Sequence, residues 1–404
     1  MMRLPFNNAK ESPRLPELEE KLPDSAVSAL GLTVVTIILL FFGLTMLYSA
    51  SFTLKGIVYF QKQLLWIFAG FAAGAAVIAA GYQRICKLRG FLLPICWLLL
   101  VAALFFKPYN GAYRWIRFPF PGLGTVALQP SEFAKIAMCL FVASYCTFFS
   151  RTFSLFKHKN GVLPLAFYIL LTCGLVALGE DMGTTILIFT TAGLIMLAAG
   201  LYLRYCLAGL IFGGVAFVVT LLCSPVRLKR VTNFLDPEAN PLKEGYQLLR
   251  SFLALGSGGW FGLGFGESRL KTKYLPEQHT DFILSVVGEE LGFSAILLII
   301  LLYLLWGYFA VRIAIAARSK LGMLLAFGLA MAIQLQATIN LAVISGSAPT
   351  KGMPAPFISY GGSNVISSLI AVALLLSVAM ETLRPGYSDA FLESVRNKFR
   401  RKKQ

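Results

Sequence analysis

The sequence predicts an all-α, polytopic membrane protein with about ten transmembrane helices and a large external loop between spans 7 and 8. Three observations carry that expectation. Of 404 residues, 57% are hydrophobic and only 14% charged, and the mean hydropathy of +0.73 excludes a soluble enzyme. Apolar runs of the ~20 residues needed to cross a hydrocarbon core recur along the chain. Most of the Lys and Arg residues behind the net charge of +17 flank those runs, which reads as membrane orientation and not as nucleic-acid binding.

Residues 1–26 are polar, with Pro5, Pro13, Pro16 and Pro23 and an acidic cluster at Glu17, Glu19 and Glu20, and are expected to form a disordered cytoplasmic tail. The run at about 27–50 is longer than the apolar core of a cleavable signal peptide and has no obvious cleavage site, so it is expected as a retained first span. Further runs fall at about 63–82, 90–106, 130–149, 162–178, 182–199, 204–223, 282–311, 321–344 and 363–383. The membrane domain thus covers 27–385, followed by a basic tail at 386–404.

With the N-terminus inside, the cytoplasmic segments hold 21 Lys and Arg and the short external segments few. The external loop at about 224–281 holds eight, but a loop of that length translocates largely regardless of charge. Both termini are therefore expected in the cytoplasm, with Arg396, Lys398, Arg400, Arg401, Lys402 and Lys403 against anionic lipid. Within the long loop, residues 246–255 place apolar side chains at helical spacing suited to a membrane surface.

The chemistry of cysteine and histidine is thin. Seven cysteines lie in or beside apolar stretches with no Cys-x-x-Cys pair, and the two histidines, His158 and His279, exclude His-rich zinc and haem sites. No tandem repeat and no matched pair of interrupted helices marks a secondary transporter.

The densest polar motif runs from Tyr274 through Glu277, His279, Thr280 and Asp281 to Phe282, where the long loop re-enters the membrane. Ionisable groups beside lipid are costly unless they are used. Thr280 reads best as a helix cap, while Asp281 is either a cap or an ionised base. Glu289 and Glu290 fall in the same predicted helix; at about 100° per residue Glu289 lies about 80° round from Asp281 and about 12 Å deeper, with Glu290 opposite. Glu289 can then line Asp281's cavity or pair with a buried cation.

Lys135, in the fourth span, is an equal choice between an ion pair with Glu132 at i, i+3 and a phosphate ligand near the outer face. Arg114 and Trp115 sit at the external interface; the tryptophan suits the aromatic belt and the planar guanidinium suits a pyrophosphate. Glu180 and Asp181 add two acids on a short external turn. The glycine run 256–266 lacks the strand and the Gly-Lys-Ser/Thr of a nucleotide loop, and a flexible or closely packed segment explains it better. A Pro/Gly-punctuated turn at 349–363 is placed to present Lys351 and Ser363 to the external cavity.

Together these segments resemble the SEDS family (shape, elongation, division and sporulation proteins) across nearly all of residues 27–385, most specifically at 274–292 and 349–363, and in wording closest to its division members. The resemblance implies a peptidoglycan glycosyltransferase that polymerises lipid II on the outer face of the bacterial cytoplasmic membrane, working with a class B penicillin-binding protein and other division proteins. By position, Asp281 matches the family's essential external aspartate, proposed as the base that deprotonates the acceptor hydroxyl, and Lys135, Arg114 and Trp115 match recurring motif positions. Two departures stand out: only Asp181 matches in the usual acid-Pro-Asp motif, and Asn364 stands where a second serine is common.

The expected substrate site comprises Lys135, Arg114, Trp115, Glu277, His279, Glu289, Lys351 and Ser363 around the catalytic Asp281, with lipid as the surrounding solvent. A divalent cation, Mg or Mn, can bridge the pyrophosphate and Asp281 or Asp181, with no organic cofactor. The rivals are a lipid II flippase, which needs polar groups along the full depth of the bilayer, and a non-catalytic division scaffold.

Overall fold

Each predicted apolar run is a helix in the computed structural model, which describes residues 15–108, 112–120, 124–149, 161–222, 246–268, 279–349 and 352–388, together with 228, 232, 234 and 236. The helices are α1 (Leu15–Lys55), α2 (Val58–Ala80), α3 (Tyr82–Lys87), α4 (Arg89–Leu104), α5 (Pro130–Phe149), α6 (Val162–Leu178), α7 (Met182–Ala198), α8 (Leu203–Leu222), α9 (Tyr246–Gly258), α10 (Ile283–Ala316), α11 (Lys320–Ile344) and α12 (Gly362–Leu383). Six of them, α1, α2, α8, α10, α11 and α12, are long and apolar enough to cross a membrane. The shorter apolar α4, α6 and α7 and the charge-bearing α5 complete the ten predicted spans. The chain is a multi-pass membrane protein.

The outward face is apolar, with Phe41, Phe68, Phe91, Leu98 and Ile211 all exposed, as a surface solvated by lipid requires. Polar groups instead gather inside, and the buried set includes Glu132, Lys135, Asp181, Glu289, Glu290, Gln336 and Asn340. Trp306, fully buried, donates from Nε1 to Thr36 Oγ1 (3.0 Å) and so ties α10 to α1.

Three features depart from expectation. First, α1 begins at Leu15, inside the stretch expected to be disordered; Pro16 at the second helical position has the φ a helix needs and no N–H to satisfy there. Second, the segment between α4 and α5 forms an antiparallel hairpin, β1 (Ile116–Phe120) with β2 (Gly124–Leu128), in the register Ile116 to Leu128.

The third departure is in α10. The helix is broken at Gly292, whose φ of 80° and ψ of −177° lie outside any helical region. The backbone groups released by the break find partners in the glycine run after α9. Leu263 and Gly264 donate to the carbonyls of Glu289 (2.9 Å) and Glu290 (3.0 Å), while Phe293 and Ser294 donate to those of Gly259 (2.8 Å) and Trp260 (3.2 Å). Close backbone approach explains the glycines here, since a Cβ on Gly262 would lie 2.1 Å from the Glu290 carbonyl oxygen. The glycine run is therefore a closely packed segment. The expected helix over 246–255 is α9, extended to Gly258, with Leu248, Ser251, Ala254 and Gly258 buried along one side.

Candidate active site

Four chain segments meet through mutual contacts: 112–115 after α4, the α6–α7 turn at 179–181, residues 279–282 before α10, and 352–361 before α12. The turns are held in conformations that non-glycine residues rarely adopt. Glu180 has φ 66° and Phe357 φ 67°. Glu180 thereby aims its carbonyl at Arg114 Nη2, which donates to it. The same guanidinium reaches the other loop. A Cβ built on Gly352 would stand 2.9 Å from Arg114 Nη1 and 3.4 Å from Asp281 Oδ2, so the arginine and the aspartate flank one glycine.

Asp281 is half-buried and precedes α10. Neither it nor Thr280 occupies the N-cap position of that helix, which falls at Phe282. The cap expected of Thr280 is thus corrected: α10 begins two residues too late for Thr280 to be its N-cap. The Asp281 backbone is fixed from a distance, its carbonyl accepting from Asn340 Nδ2 (3.0 Å), which also donates to the Met353 carbonyl (2.7 Å). His279 belongs to the same corner: its carbonyl accepts from the Tyr360 amide (3.0 Å), and its ring packs on Tyr59 (4.6 Å) and Tyr360 (5.7 Å between centroids). Burial pushes the Tyr360 phenol up to about 12, so that ring is neutral at physiological pH.

The other expected residues are placed differently. Trp115 is half-buried beside Arg114, leading into β1. Lys135 is 3% exposed, and its Nζ donates to Glu132 Oε2 (2.6 Å) and Gln336 Oε1 (2.5 Å). Glu132 also accepts from Ser367 (2.9 Å). The local ion pair is therefore formed. Ser363 is buried and accepts from the Gln129 amide (2.9 Å). Glu289 is buried and accepts from Ser268, and the single Ser49 hydroxyl is shared between the two carboxylate oxygens of Glu290 (2.8 and 2.7 Å). The helical-wheel relation between Glu289 and Asp281 does not hold, because Asp281 lies outside α10. Glu277 and Lys351 lie outside the described residues.

Asp181 is a structural carboxylate. It caps α7, accepting from Thr184 N (3.3 Å) at Oδ1 and from Gln129 (3.0 Å), Ser131 (2.9 Å) and Thr184 Oγ1 (3.0 Å) at Oδ2. Oδ2 thus already carries three donors and Oδ1 one, and among the described residues no three His, Cys, Asp or Glu side chains converge. This donor set does not fit a divalent cation shared with Asp181. Beside the turn, a cavity of about 10 Å³, enough for one water, is lined by Tyr113, Arg114, Ser131 and Asp181, and Arg114 Nε is buried with no acceptor among the described residues.

Sequence reasoning overlooked Gln63, Gln336 and Asn340. Gln336 Nε2 donates to the Pro354 carbonyl (2.9 Å), one helical turn from Asn340's bond to Met353, and Gln63 holds the next turn through Ser359 (3.2 Å) and Gly361 (3.2 Å). The signal was present: amides one turn apart within an apolar span are expensive unless they are used.

A sequence profile described as cell cycle protein, covering the FtsW, RodA and SpoVE proteins, matches residues 30–384. The chain belongs to this family, the SEDS proteins. Its relatives include the probable peptidoglycan glycosyltransferase FtsW of Trichlorobacter lovleyi, 37% identical over 87% of this chain and 92% of that one. The stage V sporulation protein E of Bacillus subtilis is 36% identical over 86% of this chain and 96% of its own length. Among solved SEDS-type folds, one chain of a peptidoglycan synthase complex that coordinates polymerization and crosslinking superposes with a TM-score of 0.70 at 26% identity, covering 88% of this chain and 98% of that chain. RodA of Thermus thermophilus superposes at 0.64 over 88% of this chain and 97% of its own and, at 24% identity, supports the fold alone.

Proposed function

We propose that this peptidoglycan glycosyltransferase polymerises lipid II into glycan strands at the outer face of the cytoplasmic membrane during cell division, with a class B penicillin-binding protein as its partner. The observation that carries the reading is the pairing of Arg114 and Asp281 across Gly352: one cation and one carboxylate, from segments far apart in sequence, face the same small space. Glycosyl transfer from a lipid pyrophosphate needs those two groups. Asp281 accepts the proton of the acceptor hydroxyl as its oxygen bonds to the donor's anomeric carbon. The bond from that carbon to the pyrophosphate breaks, and the electron pair leaves on the phosphate oxygen. Arg114 holds that oxygen's growing charge.

The distribution of Lys and Arg supports the orientation, with both termini inside and the site outside. The relatives named FtsW support the division role, and the synthase complex supports a crosslinking partner. The deciding experiment is a polymerisation assay on purified protein with lipid II, with and without a class B penicillin-binding protein. Wild type should form glycan strands, and Asp281→Asn should fall by at least ~10²-fold with its melting temperature little changed. Near-normal polymer from Asp281→Asn would overturn the assignment; lipid II translocation without polymer would favour the flippase.

A further inference from the structure

The geometry points to Asn340 as a positioning residue for the reaction, an inference that rests on the role proposed for Asp281. Its amide is buried in α11, 1% exposed, in a span whose neighbours are mostly apolar. A buried amide in such a place is costly unless its hydrogen bonds are used. Both hydrogens of Nδ2 are used, and on two different segments: one bonds the carbonyl of Asp281 itself (3.0 Å), the other the carbonyl of Met353, next to Gly352 (2.7 Å). A single planar group thus fixes the distance between the chain that carries the aspartate and the chain that forms the glycine spacer. That distance decides how far Asp281 Oδ2 stands from Arg114 Nη1, since both are measured from Gly352.

Gln336, one turn earlier on α11, holds the next carbonyl, Pro354 (2.9 Å), while accepting from Lys135 (2.5 Å). The 353–354 turn is therefore pinned at two successive carbonyls by one helix face, and only Asn340 extends that grip to Asp281. Among the described residues, the buried amide oxygen of Asn340 has no donor. The residue is thus present for what it donates.

The test uses full-length protein with its class B partner. Asn340→Ser keeps one donor at shorter reach, and Asn340→Gln keeps both donors one methylene further out. Each is assayed for polymerisation with lipid II alongside Asp281→Asn, with melting in detergent measured in parallel. For a positioning residue, kcat should fall about 10- to 100-fold in both variants while KM for lipid II changes little. This split between kcat and KM is the readout that a merely structural role would not give. Wild-type kcat in either folded variant, with Asp281→Asn inactive, would overturn the positioning role alone. So would a fall in kcat that tracks lost melting temperature and is matched by a rise in KM. An active Asp281→Asn would overturn the Asp281 assignment and this inference with it.

Discussion

The α-carbon of Gly352 lies so close to the Arg114 guanidinium that a methyl group there would stand 2.9 Å from Nη1. The residue also has φ 65°, where an L side chain costs about 1 kcal/mol. Gly352→Ala should therefore push the guanidinium away from Asp281 and lower kcat by about tenfold or more, with little change in melting temperature. Steady-state polymerisation kinetics measure this, and unchanged turnover would show that the spacing is not critical.

Arg114 carries two duties, holding the Glu180 carbonyl and facing Asp281. Arg114→Gln should lower kcat/KM for lipid II about tenfold or more, as expected when a charge-assisted contact to the leaving phosphate is lost. Arg114→Lys should not restore it, because one ammonium cannot span both positions. Full activity in the lysine variant would remove the need for a fork.

Lys135 is bound to Glu132 and Gln336 inside the bundle. Lys135→Met leaves a buried carboxylate without its cation, and the expected loss is about 3 kcal/mol or more of stability. The double variant Glu132→Gln/Lys135→Met should recover much of it. Thermal melting in detergent distinguishes this from a substrate role, in which Lys135→Met would melt like wild type and bind lipid II poorly.

For topology, single cysteines at Ser257 and Ser394 in a Cys-free background should differ in reaction with an impermeant thiol reagent on intact cells. Ser257 should label and Ser394 should not, as the distribution of Lys and Arg requires. The reverse pattern would invert the orientation.

The helices were legible because apolar runs of membrane length have few alternative fates. The corner built around Asp281 was only partly so. Arg114, His279 and Asp281 announced themselves as polar groups at the ends of spans, and the structure brings them to one place. Asn340 and Gln336 were hidden because a span's average hydropathy absorbs a few amides. The break at Gly292 was hidden because its cause is non-local: the partners of its freed backbone groups lie about 30 residues upstream. The wheel that related Glu289 to Asp281 assumed one unbroken helix starting before Asp281, and α10 starts after it. Asp181 followed a local rule, an acid three residues ahead of Thr184, that marks a helix start.

The splice between the glycine run and α10 separates two properties that usually travel together. Phe261 is 86% exposed and Trp260 64%, so by accessibility this stretch resembles a tolerant loop tip. Its main chain, however, closes the hydrogen bonds of a membrane helix. Side-chain replacement at Phe261 should be accepted, whereas adding even one residue between Trp260 and Leu263 would put the bonds on its two sides out of register with each other. An epitope tag or a fluorescent-protein fusion belongs elsewhere in the chain, because a site that looks like surface is, to the backbone, the interior of a helix.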